Sequence, residues 1–370
     1  MSIRRVAVLG STGSVGKQAL EIIDARPDLE LYSILCRRNI DLLQHQKEKF
    51  QPSISAIVSP EVDIPSDIIK GAGVLDQAVE GADIVLNAIV GSAGLRASIL
   101  CQELDIPLAL ANKESLVIGG ELLRDHLKAG KVIPVDSEHS TIKRCLQSEK
   151  RPVRGITLTA SGGSVLLMPI DEIRTAGPER ILKHPTWEMG ARITVDSATM
   201  VNKAYEVIEA GWLFENIPVE VVIHPQSIVH SFIRLEDGSW KALLGQPDMK
   251  IPIQFALEWP DRELDVIAGD KPFDWGTLAF REMDEERYPA FSTVVQTGID
   301  GKTFPAVANA ADEVAVQAFL DGRILFGNIA EIIDEVLSLH RSYHIRSLED
   351  VLEADRNART VAAGIVSKLC

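Results

Sequence analysis

The first third of the chain alternates short β-branched runs with stretches whose apolar residues recur every three or four positions. VAVLG at 6–10 reads as a strand buried on both faces, and residues 15–24 carry helical spacing. LELYSILC, SAIVS at 55–59, ADIVLNAI at 82–89, IPLALA and KVIPVD repeat the strand pattern, with helical segments between them. This alternation predicts an α/β domain over residues 1–136, a doubly wound parallel sheet of Rossmann type.

From Gly155 the pattern changes. ITLTAS reads as a strand, a Pro- and Gly-interrupted stretch runs to Gly190, ARITVD follows, and a helix is predicted over 198–211. VEVVIHPQSIVHSFIRLEDGSWKALLG contains two longer strands with a hairpin turn at Gly238, so a central α+β domain is expected over 137–260. Its long irregular segment, about 161–190, has the composition of a mobile lid. Residues 261–289 are charged and weakly periodic, as in a linker or wrapping arm. AVANAADEVAVQAFL, residues 329–340 and residues from 348 onward have i, i+3, i+4 spacing, which predicts a C-terminal helical bundle over 290–370.

Composition narrows the function. The chain has 370 residues, 46% apolar and 25% charged, which is globular usage and excludes wholesale disorder. No apolar run is long enough to span a bilayer. Lys and Arg number 38 against 53 Asp and Glu, a net charge of −15. Such a surface repels nucleic acid, so a small anionic ligand must be met by local cations. Cys36, Cys101, Cys145 and Cys370 lack metal-ligand or disulfide spacing, which fits a reducing compartment. The chain enters a strand at once with no signal core, so a cytoplasmic protein is expected.

The candidate chemistry lies where strands end. GSTGSVG follows the first strand and opens a helix, a turn that brings backbone N–H groups to a pyrophosphate. Thr12 and Ser14 add hydroxyls. The second strand ends in CRRN, where Arg37 and Arg38 suit a 2′-phosphate and favour NADP over NAD. ANKES places Asn112, Lys113 and Glu114 at the end of another strand. PVDSEH does the same for Asp136, Ser137 and Glu138, and VDSATMVNKAYEVIEA carries Ser197, Asn202, Lys203 and Glu206. Asp136, Glu138 and Glu206 are hard oxygen donors of the kind that hold Mg²⁺ or Mn²⁺, although carboxylates at these spacings are commonly solvated. His340 and His344 read as a helix-surface pair, and His224 and His230 as core or supporting residues.

GSTGSVG, ANKES, PVDSEH, KHPTWEMG, VDSATMVNKAYEVIEA and IHPQSIVHS occur in this order, with NAADEVAVQAFL in the tail. In these motifs the chain resembles the 1-deoxy-D-xylulose 5-phosphate reductoisomerases over essentially its whole length. The resemblance implies NADPH-dependent conversion of 1-deoxy-D-xylulose 5-phosphate to 2-C-methyl-D-erythritol 4-phosphate in non-mevalonate isoprenoid synthesis. It implies a homodimer that requires Mg²⁺, Mn²⁺ or Co²⁺. A carbon-skeleton rearrangement, by retro-aldol or α-ketol route, would precede hydride transfer.

By the same resemblance Thr12, Gly13, Ser14, Val15, Asn112, Glu114 and Gly190 contact NADPH, with Arg37, Arg38 and Asn39 beside them. Asp136, Glu138 and Glu206 hold the metal and, with Lys113, are the catalytic set. Lys113 and Ser137 meet the hydroxyl end of the substrate, Ser161, His184, Ser197, Asn202 and Lys203 its phosphate, and Glu138, Glu206 and Trp187 also bind substrate. Trp187 and Met189 belong to the lid. Two departures stand out. The family has small residues where CRRN has arginines, and its S-G-G-P-F turn is here SGGSV, which predicts a looser lid entrance with Ser161 retained. An NADP-linked semialdehyde reductase and an NADP-binding sensor without turnover are the competing readings. The first would need no metal and the second would form no product.

Overall fold

The computed structural model describes residues 3–59, 64–71, 73–147, 149–183, 190–215, 217–260 and 275–369. The chain forms two compact units, each assembled from segments distant in sequence. Met1–Ser115, Leu123–Lys143 and Asp248–Gly269 make the first, and Leu116–Leu122, Arg144–Pro247 and Asp270–Cys370 the second.

Among the described residues, the first unit contains β1 (Arg4–Leu9), β2 (Leu29–Cys36), β3 (Ile54–Ile57), β4 (Ile69–Lys70), β5 (Ile84–Asn87), β6 (Leu108–Leu110) and β7 (Val132–Pro134). They form one parallel sheet in the order β4-β3-β2-β1-β5-β6-β7. The chain steps outward from β1 to β4 and returns on the other side at β5. A topological switch point therefore lies at the carboxyl end of β1, where open α/β sheets bind ligands. Val6, Ala7, Val8 and Leu9 have no exposed surface, as expected for a central strand covered on both faces.

KIPIQFALE matches no element expected above, yet it forms a helix, Lys250–Glu258, that packs on this unit. Pro252 sits in its first turn, where a missing N–H costs nothing. Ile253, Phe255, Ala256 and Leu257 join the core of Val6, Val8, Ile34 and Leu86. Arg4 Nη1 donates to Leu257 O (2.7 Å) and Trp259 O (2.8 Å), and the buried Arg26 guanidinium pairs with Glu258 and Asp28.

In the second unit, β8 (Val153–Ala160), β9 (Val219–Ile223), β10 (Val229–Leu235) and β11 (Trp240–Leu244) form a mixed sheet in the order β11-β10-β8-β9. β10 and β11 make the hairpin expected around Gly238. The segment predicted to hold two strands holds three, because the turn at His224 separates β9 from β10. His224 is fully buried; its Nδ1 bonds Ala279 O (2.8 Å), and Nε2 accepts from the Ile228 and Val229 amides (3.2 Å each). Burial holds its pKa below the usual histidine range. The arm after residue 275 lies along β9, where Arg281 and Ile223 exchange two backbone bonds of 2.9 Å.

The helix predicted at 198–211 is two helices, Ala191–Thr199 and Val201–Leu213, so ARITVD is helical. Met200, at φ 62°, separates them, and the Thr199 hydroxyl accepts from the Val201 N–H (3.3 Å) at the break. Pro289–Asp300 packs on Val201–Leu213. Phe304–Leu320 packs on Asn328–Leu339 and Leu348–Leu369, completing the predicted helical tail. The His340/His344 pair is corrected. The helix ends at Leu339, His340 Nε2 lies 2.8 Å from Thr303 Oγ1, and His344 is exposed outside the helix. Among the described residues, no helix is long and apolar enough to cross a membrane.

Candidate active site

The glycine turn sits at the switch point of the first sheet. Gly10 has φ +87°, and a Cβ there would lie 2.4 Å from Ala88 O, so the turn requires glycine. Ser11 is buried beneath it; its Oγ donates to Gln46 Oε1 (2.8 Å) and Gln46 Nε2 returns a bond to Ser11 O (2.8 Å). Gly13 and Ser14 are exposed at the start of the helix Ser14–Asp24, with Thr12 and Val15 half-buried beside them. A Cβ on Gly13 would meet only Gly10 O, at 3.3 Å. The protein's own packing leaves that face open, which is the form of a backbone cradle for pyrophosphate. Arg37 and Arg38 are exposed after β2. Asn39 Oδ1 is committed to capping the next helix through Leu42 N (3.1 Å).

Neighbouring strands then bring ANKES and PVDSEH together. β6 and β7 pair with Leu110 opposite Pro134, so the residues just beyond their carboxyl ends lie at the same edge. There Lys113 Nζ forms an ion pair with Asp136, the two side chains 12% and 20% exposed. Ser137 Oγ donates to Glu138 Oε2 (2.5 Å). Asn112 is buried, with Nδ2 on Ile89 O (2.7 Å) and Glu114 Oε2 (2.7 Å), and Glu114 Oε1 accepts from Gly91 N (3.2 Å). Asn112 and Glu114 thus hold the loop after β5.

The second unit carries the other set. Asn202, Lys203 and Glu206 share one turn of Val201–Leu213: Asn202 Nδ2 donates to Glu206 Oε1 (2.7 Å), and Lys203 Nζ pairs with Glu206 Oε2. Lys203 and Glu206 are almost fully buried, 5% and 2% exposed, so the pair is held out of water. Ser161 follows β8, and Ser197 lies in the last turn of the helix Ala191–Thr199. Gly163, at φ +62°, approaches the end of Ala191–Thr199 so closely that a Cβ would sit 2.7 Å from Ser197 O. Ser161 Oγ accepts from Gly163 N (3.2 Å). Ser164, where the resemblance leads one to expect proline, donates its hydroxyl to Ile181 O (2.7 Å) and tethers the turn. Gly190 precedes Ala191–Thr199 and is exposed. His184, Trp187 and Met189 lie outside the described residues, as do 261–274 of the expected linker.

Sequence reading missed an ionic network that anchors Ala191–Thr199. Arg192 meets Glu313 (2.9 Å), Asn309 (3.4 Å) and Asp196 (3.5 Å), while Arg359 bonds Glu313 (2.6 Å) and Asp355 (2.7 Å). Burial pushes the Glu313 carboxyl up, but Arg192 and Arg359 outweigh it and hold it below the carboxylate range. Burial, with Asp312 acting in the same direction, raises the neighbouring Tyr205 hydroxyl well above its usual value. Only the doubled acid of NAADEV hinted at this network, because Arg192 and Arg359 lie 121 and 46 residues from Glu313.

Comparison with known proteins resolves the family. The family model described as 1-deoxy-D-xylulose 5-phosphate reductoisomerase matches residues 6–120, and the models of its C-terminal domains match 132–214 and 244–361. The chain is 42% identical to 1-deoxy-D-xylulose 5-phosphate reductoisomerase from Chlorobium phaeovibrioides, over 99% of this chain and 100% of that one. It belongs to the 1-deoxy-D-xylulose 5-phosphate reductoisomerase family. A family member from Trichlorobacter lovleyi is also 42% identical, over 99% of this chain and 98% of its own. The solved reductoisomerase from Zymomonas mobilis, in complex with NADPH, superposes with a TM-score of 0.89. It is 36% identical and the match covers 98% of this chain and 99% of that one. A reductoisomerase crystallised with NADPH, fosmidomycin and magnesium matches with a TM-score of 0.87 and 31% identity over 98% of both chains.

Proposed function

We propose that this chain converts 1-deoxy-D-xylulose 5-phosphate to 2-C-methyl-D-erythritol 4-phosphate as an NADPH- and divalent-metal-dependent oxidoreductase. The observation that carries the reading is the family match along the whole chain, which takes in every strand end and helix described above. The chain's residues suit both groups the reaction needs. Gly10, Gly13 and the exposed helix start form a cradle for pyrophosphate, and Arg37 and Arg38 offer guanidinium donors to a 2′-phosphate. Asp136 and Glu138 on one unit and Glu206 on the other would supply the oxygen donors suited to Mg²⁺, Mn²⁺ or Co²⁺. When bound, the metal supplies Lewis-acid polarisation of the substrate's oxygens and NADPH supplies the hydride.

The residues have distinct tasks in this reading. Thr12, Gly13, Ser14 and Val15 receive the pyrophosphate, with Asn112, Glu114, Asn39 and Gly190 bordering the cofactor. Lys113, paired with Asp136, offsets negative charge developing on a substrate oxygen. Ser137 and Glu138 orient the substrate hydroxyls. Ser161, Ser197, Asn202, Lys203 and His184 take the phosphate; Lys203 brings positive charge to a chain of net charge −15. Fixing the remote phosphate orients the reacting carbons, and Trp187 and Met189 exclude water. The enzyme acts as a cytoplasmic homodimer on a small sugar phosphate, a reading supported by the family resemblance.

The test is NADPH consumption with 1-deoxy-D-xylulose 5-phosphate and Mn²⁺, with and without EDTA, the product identified by mass and NMR. Metal-dependent formation of the branched product is expected. Undiminished turnover in EDTA favours a metal-free reductase, and cofactor binding without product favours a sensor.

A further inference from the structure

We infer that Arg287 and Tyr288 are positioning residues for the substrate phosphate, Tyr288 holding the Ser161-Gly162-Gly163 turn and Arg287 the segment from Val165 to Met168 that follows it. The inference rests on the reading of Ser161 as a phosphate contact.

Two successive left-handed glycines, Gly162 at φ +85° and Gly163 at φ +62°, make this turn a broad conformational well. Glycine gives up more backbone freedom on ordering than any other residue, so such a turn holds one position only if something outside it does the holding. Tyr288 is the largest of the fully buried side chains, 1% exposed, and its Oη donates to Gly162 O (2.7 Å). Burial pushes that hydroxyl up to about 12, so it remains a donor throughout the neutral range. Arg287 Nη1 donates to both Val165 O (2.7 Å) and Met168 O (2.6 Å).

Both residues bind main-chain carbonyls, so they fix where the backbone runs independently of the side chains at 162, 165 and 168. They follow the point where Arg281 pairs with Ile223, and their own amides bond Asp284 O (3.2 Å each). On the opposite side, Gly163 rests against Ser197 O and the Ser164 hydroxyl is tied to Ile181 O. The clamp therefore sets the spacing of Ser161 from Ser197, and neither Arg287 nor Tyr288 need touch the ligand.

The experiment is steady-state kinetics of Tyr288→Phe, Arg287→Lys, Ser161→Ala and Ser161→Ala/Tyr288→Phe in the full-length enzyme. A buried carbonyl that loses its donor costs enough to weaken phosphate binding roughly tenfold. Tyr288→Phe is therefore expected to raise KM for the sugar phosphate about tenfold. KM for NADPH and kcat should stay within about twofold, and turnover of unphosphorylated 1-deoxy-D-xylulose should not change. In the Ser161→Ala background, Tyr288→Phe should add less than about twofold, because the hydroxyl through which the clamp acts is gone. If Tyr288→Phe fails to fold, Arg287→Lys gives the same readout, since the shorter lysine chain leaves its nitrogen short of the place from which Nη1 reaches both carbonyls.

An unchanged KM in Ser161→Ala removes the phosphate reading of Ser161 and the clamp with it. A raised KM in Ser161→Ala, with none in Tyr288→Phe or Arg287→Lys, overturns the clamp alone. Equal losses with phosphorylated and unphosphorylated substrate assign the two residues to fold stability.

Discussion

Replacing Lys203 with methionine isolates the buried pair at the centre of the second unit. The ammonium and the Glu206 carboxylate are 5% and 2% exposed, so solvent screens their interaction little. Methionine keeps most of the aliphatic stem but leaves the Glu206 charge buried with the Asn202 amide as a neutral donor (2.7 Å). Breaking one side of a buried pair costs about 3–5 kcal/mol. At about 2–4 °C per kcal/mol for a folding unit of this size, the midpoint should fall by about 6–20 °C. Calorimetry of the full-length protein in EDTA measures that loss. In the proposed metal site Mn²⁺ would supply positive charge to the same carboxylate, so it should raise the variant's midpoint more than the wild type's, whereas Glu206→Gln should show a weaker Mn²⁺ response. A loss below about 1 kcal/mol would mean the pair behaves like an exposed one. Absence of Mn²⁺ recovery would remove Glu206 from the cation site.

Gly10→Ala forces a side chain into a left-handed turn where its Cβ would lie 2.4 Å from Ala88 O. The backbone conformation alone costs about 1–2 kcal/mol, so NADPH affinity by fluorescence titration should drop at least about tenfold, and unchanged affinity would detach the turn from the cofactor. The Glu313 carboxyl, held below its usual value of 4.5, contributes stability that is fully present above that pH and lost as pH falls through the lower folded value. Urea midpoints measured from pH 7 to pH 3 should therefore show a shallower acid decline for Glu313→Gln, and an identical slope would contradict the network.

The amino-acid sequence by itself determined most of the first sheet. A central parallel strand covered on both faces is apolar nearly throughout, so a run such as VAVL announces itself without reference to anything distant. The glycine turn was legible for a similar reason, since its conformation depends on residues adjacent in the chain. The candidate residues were also legible, because they follow strand ends or share one helical turn.

Tertiary structure decided what depends on partners far apart in sequence. KIPIQFALE has no strand or linker signature of its own, and becomes part of the first core because that sheet offers an apolar face and Arg26 offers a charge to Glu258. ARITVD joins a helix because Arg192 meets carboxylates over a hundred residues away, and the following helix starts afresh where Met200 turns left-handed. His340 belongs to a hydroxyl at Thr303, not to a pair with His344. The hold of Tyr288 on a glycine turn, and of Arg287 on the segment after it, more than a hundred residues upstream, is of the same kind. Hydrogen bonds to main-chain carbonyls select no residue type in their partner, so they leave no trace in its sequence.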